Sequence, residues 1–270
     1  MTSLDLAAYD RDGFLVLERF LPAGDCDALQ RRAAELVAGF RPGSARTIFA
    51  ARDQAHARDR YFQESGAAIH FFFEEAASSE QNELALNKIG HALHDLDPVF
   101  DRISRQLRLA RLAQALGFVQ PLLLQSMYLF KQPRIGAEVG WHQDATYLYT
   151  RPPTVTAFWI ALDDADRDNG CLLALSGAHH GPLRRRFHRA GDAMVTSELD
   201  ATPWPAVEPL ALEVPRGSLV VLHGLLPHAS AANHSNRSRH AYALHLIDGQ
   251  AVYDPDNWLQ RPHLPLRGFD

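Results

Sequence analysis

The sequence predicts a mainly β protein with flanking helices, built around a β-sandwich or jelly roll. Three observations lead there. Short strand-like runs recur after Pro121: Leu122–Leu124, Met127–Phe130, Val155–Leu162, Cys171–Leu175, Leu210–Val214, Leu219–His223 and His240–Ile247. The breaks between them carry turn signals, namely Pro152-Pro153, Asp168-Asn169-Gly170, Ser176-Gly177 and Arg216-Gly217. Helical patterns come first and strands afterwards, without the regular alternation that a doubly wound parallel sheet requires.

Taken in order, Leu4 to Arg11 reads as a short helix stopped by Gly13. Phe14 to Leu17 is a buried strand. Leu21-Pro22 opens an amphipathic helix with Cys26, Leu29, Ala33, Leu36 and Val37 at helical spacing. Arg41 to Gln63 is polar and irregular, and Ile69 to Phe73 is a strand. Leu84 to His94 reads as helical, as does Pro98 to Leu116 ahead of Gly117. Arg184 to Pro209 is the longest weakly patterned segment and reads as a lid over a site or a surface excursion, with the lid slightly preferred. The expected organisation is a single domain over 1–270: a helical and mixed part to about 120, a β core over about 121–250 and a tail over 251–270.

Composition narrows the class. The chain has 270 residues, enough for a large core, with 46% hydrophobic and 22% charged residues. A net charge of −5 argues against general nucleic-acid binding. No run reaches membrane-spanning length, and the start carries no apolar signal segment. Two cysteines, Cys26 and Cys171, fit a reducing compartment, so a cytoplasmic protein is expected. Monomer and homo-oligomer stay equally open.

The chemistry centres on Gly140-Trp141-His142-Gln143-Asp144-Ala145-Thr146. If this stretch is extended, the strand period of two puts His142 and Asp144 on one face. An imidazole and a carboxylate side by side are two thirds of a facial metal site. With 14 histidines in the chain, a third ligand must be chosen by spacing. His223 and His228 both qualify. His228 is preferred because it starts the turn back towards Ser238-Arg239-His240, whereas His223 closes the buried run Leu219–Leu222 and reads as a core histidine. Three ligands on one face leave positions for a chelating 2-oxo acid and O2. The distal carboxylate of such an acid needs a fixed cation, which the planar guanidinium of Arg239 supplies. The formal charges of Fe(II), one carboxylate, a dianion and one guanidinium cancel, so the assembly can be buried. Residue types alone leave two rivals: a cupin-like metalloenzyme without a 2-oxo acid, acting as an isomerase or hydrolase on Zn or Mn, and a silent ligand-binding homologue.

Several motifs then match one family. They include Asp12-Gly13-Phe14-Leu15-Val16-Leu17, Ile69 to Glu74, Asn87-Lys88-Ile89-Gly90-His91, Asp97-Pro98-Val99-Phe100, Gln125-Ser126-Met127-Tyr128 and Phe130-Lys131-Gln132-Pro133. His142-Gln143-Asp144-Ala145-Thr146, Asn169-Gly170-Cys171-Leu172, Arg237-Ser238-Arg239 and Asn257-Trp258-Leu259-Gln260 complete the set. Across nearly its whole length the sequence resembles the phytanoyl-CoA dioxygenase family, closest to its domain-containing-protein subgroup. The resemblance implies a double-stranded β-helix (cupin-like jelly roll), iron held by His142, Asp144 and His228, and 2-oxoglutarate held by Arg239 and Ser230. It also implies that Lys88, Met127 and Trp159 line the cosubstrate pocket. The expected reaction is hydroxylation of a small molecule with release of succinate and CO2.

Two departures and two side features bear on this. The family often has Pro-Gly-Ser-His where this chain has Ser176-Gly177-Ala178-His179, which should alter only a turn. Halogenating relatives replace the metal-pair acid with a small residue, so Asp144 argues for hydroxylation. Arg184-Arg185-Arg186 could meet the phosphates of a CoA ester, but a solvated charged edge is the preferred reading. Asp163-Asp164 with Asp166 and Asp168 lacks a full calcium-loop pattern and reads as a turn.

Overall fold

The computed structural model describes residues 4–41, 47, 60–74 and 85–270. Its helices are α1 (Leu6–Asp12), α2 (Ala23–Gly39), α3 (Arg60–Gln63), α4 (Leu93–Leu96), α5 (Pro98–Ser104) and α6 (Leu107–Ala115). The strands up to the predicted metal pair are β1 (Phe14–Leu17), β2 (Ile69–Phe73), β3 (Leu86–His91), β4 (Pro121–Leu129) and β5 (Val139–His142). The next are β6 (Thr150–Arg151), β7 (Thr156–Ala161), β8 (Leu172–Ala174), β9 (Arg185–Ala190) and β10 (Ala193–Glu198). The last are β11 (Leu210–Leu212), β12 (Leu219–His223), β13 (His228–Ser230), β14 (Ala241–Asp248) and β15 (Val252–Tyr253).

Two antiparallel sheets make a jelly roll. The larger has seven strands in the order β1-β12-β7-β14-β4-β3-β2, and the smaller has four in the order β11-β8-β13-β5. The central strands of the larger sheet, β7 and β14, are buried on both faces because both faces are covered. On β7, Phe158 and Ile160 join the core beneath the helices, whereas Ala157, Trp159 and Ala161 face the interior of the roll. On β14, Tyr242 and Leu244 take the helix side, while Ala241 and Ala243 take the interior. The strand period of two thus sorts one continuous apolar run into two cores.

The helical readings of Leu4–Arg11 and of the segment after Leu21 hold. Gly13 stops α1 in a left-handed conformation (φ 81°) and donates its N–H to the Tyr9 carbonyl. Pro98 to Leu116 is two helices, not one, because the chain leaves helical geometry at Arg105 and Gln106. The helix expected over Leu84–His94 is wrong: Leu86 to His91 form β3, and only Leu93 to Leu96 are helical. Gly90 is a poor helix former, and strand partners on both sides, β2 and β4, satisfy the backbone of this segment. Leu84 lies outside the described residues, as does most of Arg41–Gln63. Three strands from before residue 121 join the larger sheet, so the N-terminal part is built into the roll.

The segment Arg184–Pro209 is more regular than expected. Its first half is the hairpin β9–β10, paired from Arg185↔Glu198 to Ala190↔Ala193. The hairpin is fastened to the C-terminal tail: the Arg189 guanidinium donates to the Trp258 carbonyl, and Arg186 pairs with Asp254 and Asp256. The tail is also clamped to α4 through Asp95, whose buried carboxylate meets His94, Arg105, Arg261 and Arg267. Both cysteines are free and buried.

Candidate metal centre

Three of the predicted residues converge where β5 meets β13. His142 and His228 are direct cross-strand partners, and their rings lie 4.2 Å apart. Strand β5 ends at His142, so the expected extended stretch is shorter than Trp141–Thr146; Asp144 to Thr146 form a 3-10 turn. Gln143 between them is still extended (φ −113°, ψ 135°), which brings Asp144 to the side of His142. The Gln143 side chain projects away and is pinned there. Its amide nitrogen donates to the Pro182 and Leu225 carbonyls, and its oxygen accepts from the Arg184 backbone N–H.

The imidazoles are fixed by tautomer. His142 Nδ1 lies 2.9 Å from the Gly140 carbonyl and His228 Nδ1 lies 3.0 Å from the Leu226 carbonyl. A carbonyl only accepts, so both Nδ1 atoms carry the proton and both Nε2 lone pairs are free for a metal. Those Nε2 atoms lie 3.8 Å and 3.7 Å from the same oxygen, Asp144 Oδ1. Among the described residues, His142, Asp144 and His228 are the one group of acidic, histidine or cysteine side chains within mutual ligand reach. Burial pushes the His142 imidazole down to about 4, helped by neighbouring His228, which keeps it in the neutral form a metal needs. The ligand set fits a divalent ion: two neutral nitrogens and one carboxylate, with buried Asp144 Oδ2 left without a hydrogen bond.

Arg239, just ahead of β14, is buried at 3% exposure. Its Nε donates to the Gly170 carbonyl at 3.1 Å, its Nη2 to Ser230 Oγ at 3.2 Å, and its Nη1 is buried without a partner. The guanidinium lies 5.2 Å from the Trp159 ring centroid. Burial lowers it to about 10, so it stays charged at neutral pH. The Asn169-Gly170 turn makes this possible. Gly170 has φ 80°, and a Cβ there would meet the Ala231 carbonyl at 2.5 Å.

Lys88, Met127 and Trp159 line the same cavity of about 330 Å³ as the metal cluster, Ser230 and Arg239. Lys88 reaches it from a strand, not from the helix expected; it pairs with Leu129 of β4, and Met127 faces Gly90 one step along. Burial pushes the Lys88 ammonium down to about 7. Phe62, Tyr147, Phe187 and Trp258 form the aromatic end of the cavity. His223 stays outside the cluster: its Nδ1 accepts from the Leu225 N–H, and its ring sits against His179 and Tyr9. Of the three consecutive arginines, Arg184 pairs with Asp200 and Arg186 with Asp254 and Asp256, while Arg185 is exposed at the cavity edge.

The sequence reading missed His245. It lies on β14, lines the cavity and places Nε2 3.4 Å from Asp144 Oδ2. The signal was present, since His245 stands six positions after Arg239 and an even spacing on one strand shares a face.

A jelly roll with two histidines and a carboxylate at its mouth, and a buried arginine behind them, defines the class of 2-oxoglutarate-dependent dioxygenases. Residues 9–241 match the family model described as phytanoyl-CoA dioxygenase (PhyH). The chain is 44% identical over 281 residues to phytanoyl-CoA dioxygenase domain-containing protein 1 of Bos taurus, covering 97% of this chain and 96% of the relative. It is 40% identical over 272 residues to the phytanoyl-CoA dioxygenase of Arabidopsis thaliana, covering 98% and 95%. The protein belongs to the phytanoyl-CoA dioxygenase family.

Solved structures share the fold. The epimerase SnoN, in complex with Fe3+, alpha ketoglutarate and nogalamycin RO, matches with a TM-score of 0.66 at 18% identity over 92% of this chain and 84% of that one. EctD from S. alaskensis, with 2-oxoglutarate and 5-hydroxyectoine, matches with a TM-score of 0.63 at 20% identity over 94% and 78%. Among the described residues, no helix is long and apolar enough to cross a membrane.

Proposed function

We propose that this protein, acting as one catalytic domain over residues 1–270, couples the decarboxylation of 2-oxoglutarate to hydroxylation of a C–H bond in a compact small molecule. The observation that carries the reading is Arg239. A buried guanidinium with one nitrogen unpartnered and, among the described residues, no carboxylate in ion-pair contact is costly unless an anion completes it. It faces the cavity that also holds the His142, Asp144 and His228 cluster.

In this reading His142, Asp144 and His228 hold Fe(II) through two Nε2 lone pairs and one carboxylate oxygen. Arg239 and Ser230 bind the distal carboxylate of 2-oxoglutarate, and Lys88 adds a second cation to the same pocket. Trp159 and Met127 pack against its carbon chain and exclude water. When bound, iron supplies the activation of O2. The retained carboxylate of Asp144 occupies the place where a halide would need room, which favours hydroxylation over halogenation.

The cavity is near the low end of small-molecule sites, roughly 300–1,000 Å³, and the cosubstrate takes part of it. A compact substrate with an apolar portion against Phe62, Phe187 and Trp258 fits the remainder better than a whole CoA ester. The ion pairs of Arg184 and Arg186 point the same way, since they leave one exposed guanidinium of the three for a phosphate.

The test is iron- and O2-dependent succinate formation from 2-oxoglutarate, with the background turnover without substrate included. Wild-type protein should form succinate, and Asp144→Ala should lose both metal and turnover. An iron-loaded protein that neither binds 2-oxoglutarate nor responds to Asp144→Ala would overturn the reading. A metal-dependent activity untouched by Arg239→Ala would favour the metalloenzyme that uses no 2-oxo acid.

A further inference from the structure

Asp144 divides its two oxygens between different neighbours. Oδ1 faces the Nε2 atoms of His142 and His228 at 3.8 Å and 3.7 Å, whereas Oδ2 lies 3.4 Å from Nε2 of His245. His245 is buried at 4% exposure, and its strand neighbours fix it from both sides: it stands opposite Gln125 of β4 and Ala157 of β7. Neither oxygen's surroundings resemble the other's. One side offers two nitrogens whose protons are held elsewhere, so only lone pairs face Oδ1. On the other side, His245 Nδ1 has no partner, so nothing fixes the ring proton away from Nε2.

We infer that His245 is a positioning residue for the metal site: its Nε2, 3.4 Å from Asp144 Oδ2 and short of a hydrogen bond in the metal-free site, closes on that oxygen as an N–H donor when an ion engages Oδ1, and so leaves Oδ1 as the single oxygen offered to the metal. This rests on the reading of His142, Asp144 and His228 as metal ligands. The consequence is a count of open positions. An octahedral ion held by three single-atom ligands keeps about three positions, the number needed by a chelating 2-oxo acid plus O2. A carboxylate free to swing and bind through both oxygens leaves about two, one too few. The donor on Oδ2 therefore protects a coordination position. Ala241 and Ala243 on the same face of β14 leave space between this end of the strand and Arg239 at the other.

The experiment uses Mn(II) as the probe, without cosubstrate. Metal affinity is measured by titration, and the number of exchangeable waters on the bound ion by water-proton relaxation. The variants are His245→Leu, which removes the donor, and His245→Gln, whose amide N–H can replace it. His245→Leu should weaken Mn(II) binding between about 10- and 100-fold, as other losses of a ligand's supporting partner do. It should also lower the water count by about one. His245→Gln should restore both to within about threefold of wild type. If His245→Leu keeps wild-type affinity and water count, the inference is wrong. A rise in the water count would also overturn it, because His245 would then be a ligand itself. If His245→Leu does not fold, His245→Gln against His245→Asn, whose shorter amide falls short of Oδ2, gives the same contrast, and equal behaviour of the two sinks the idea. Wild-type protein that binds no Mn(II) would instead count against the metal reading itself.

Discussion

His142 and His228 face each other directly across adjacent antiparallel strands, with their ring centroids 4.2 Å apart. The pair is built by register: the strand that carries one histidine is held in place by the strand that carries the other. Both rings are also oriented by carbonyls of their own segments, Gly140 and Leu226.

Replacing either histidine should therefore remove metal binding without unfolding the roll. For His228→Ala the expected loss of affinity for a divalent ion exceeds about 100-fold, since a three-ligand site falls to two. The thermal midpoint of the metal-free protein should move little, because the two rings are tilted against each other and His142 is only half-buried, so the pair contributes little stability of its own. Calorimetric titration alongside a melting curve separates the two effects.

Arg239→Met should weaken 2-oxoglutarate binding by at least about 30-fold, the cost of losing a buried charge-assisted pair, about 2–5 kcal/mol. Arg239→Lys should recover little of it, because an ammonium cannot reproduce the fork that engages Gly170, Ser230 and the ligand together. The unliganded Arg239→Met protein should melt at or above the wild-type temperature, since the Arg239 cation is buried and, among the described residues, makes no ion pair. A large drop in melting temperature would contradict that account.

Lys88 gives a pH dependence whose sign follows from its burial. Its ammonium is pushed down to about 7 in the folded protein, while the unfolded chain holds that proton to about 10.4. Between those values the unfolded state binds more protons, so stability should rise with pH across that window. Lys131, likewise pushed down to about 7, contributes with the same sign. Lys88→Met should flatten part of the rise and stabilise the apo protein at pH 7 by about 1–3 kcal/mol. Cosubstrate binding runs the other way. A dianion favours protonated Lys88, so the wild-type Kd for 2-oxoglutarate should increase from pH 7 to pH 9, and the Lys88→Met Kd should be weaker but nearly flat.

Asp95 should matter for stability and not for chemistry. Its fully buried carboxylate meets His94 Nε2 at 3.0 Å, Arg105 Nη2 at 2.6 Å and Arg267 Nη2 at 2.9 Å, as well as Arg261. Burial alone would raise this carboxyl, but the His94 and Arg261 contacts outweigh it and hold it well below the carboxylate range. Its contribution is therefore complete above about pH 4 and is lost as pH falls further. Asp95→Asn should cost about 3–5 kcal/mol at pH 7 by stranding the cations, with less difference from wild type in acid. Metal affinity should be unchanged.

The strand-rich half was legible in the sequence because turn residues punctuate it and because apolar runs there are short. Lys88 shows the opposite case. Its segment has no local strand signature beyond Ile89, and its conformation is imposed by β2 and β4 pairing on either side. The hairpin β9–β10 escaped notice because its half-buried strands are rich in arginine and polar residues, so no apolar alternation marks them. At the site, His142, Asp144, His228 and Arg239 could be found because each stands at a strand end or turn with a chemical role in view. His245 lies inside a strand among apolar neighbours and looks like one more buried histidine until its distance to Asp144 is known. The Asp95 cluster was invisible for a different reason: its partners come from positions 94, 105, 261 and 267, and only tertiary folding assembles them.

The two-faced character of β14 sets how this chain tolerates change. Its pairing with β4 keeps register from Ala241↔Leu129 to His245↔Gln125 and absorbs an extra β4 residue, Leu124, only beyond that point. Substitutions along this stretch would have graded effects, one side chain at a time. Loss or gain of a single residue between Arg239 and His245 would act as a reflection. Tyr242 and Leu244 would turn into the reaction chamber, and the alanines would turn into the core beneath the helices, leaving it hollow. Length, more than identity, is what this strand transmits from Arg239 to the carboxylate of Asp144.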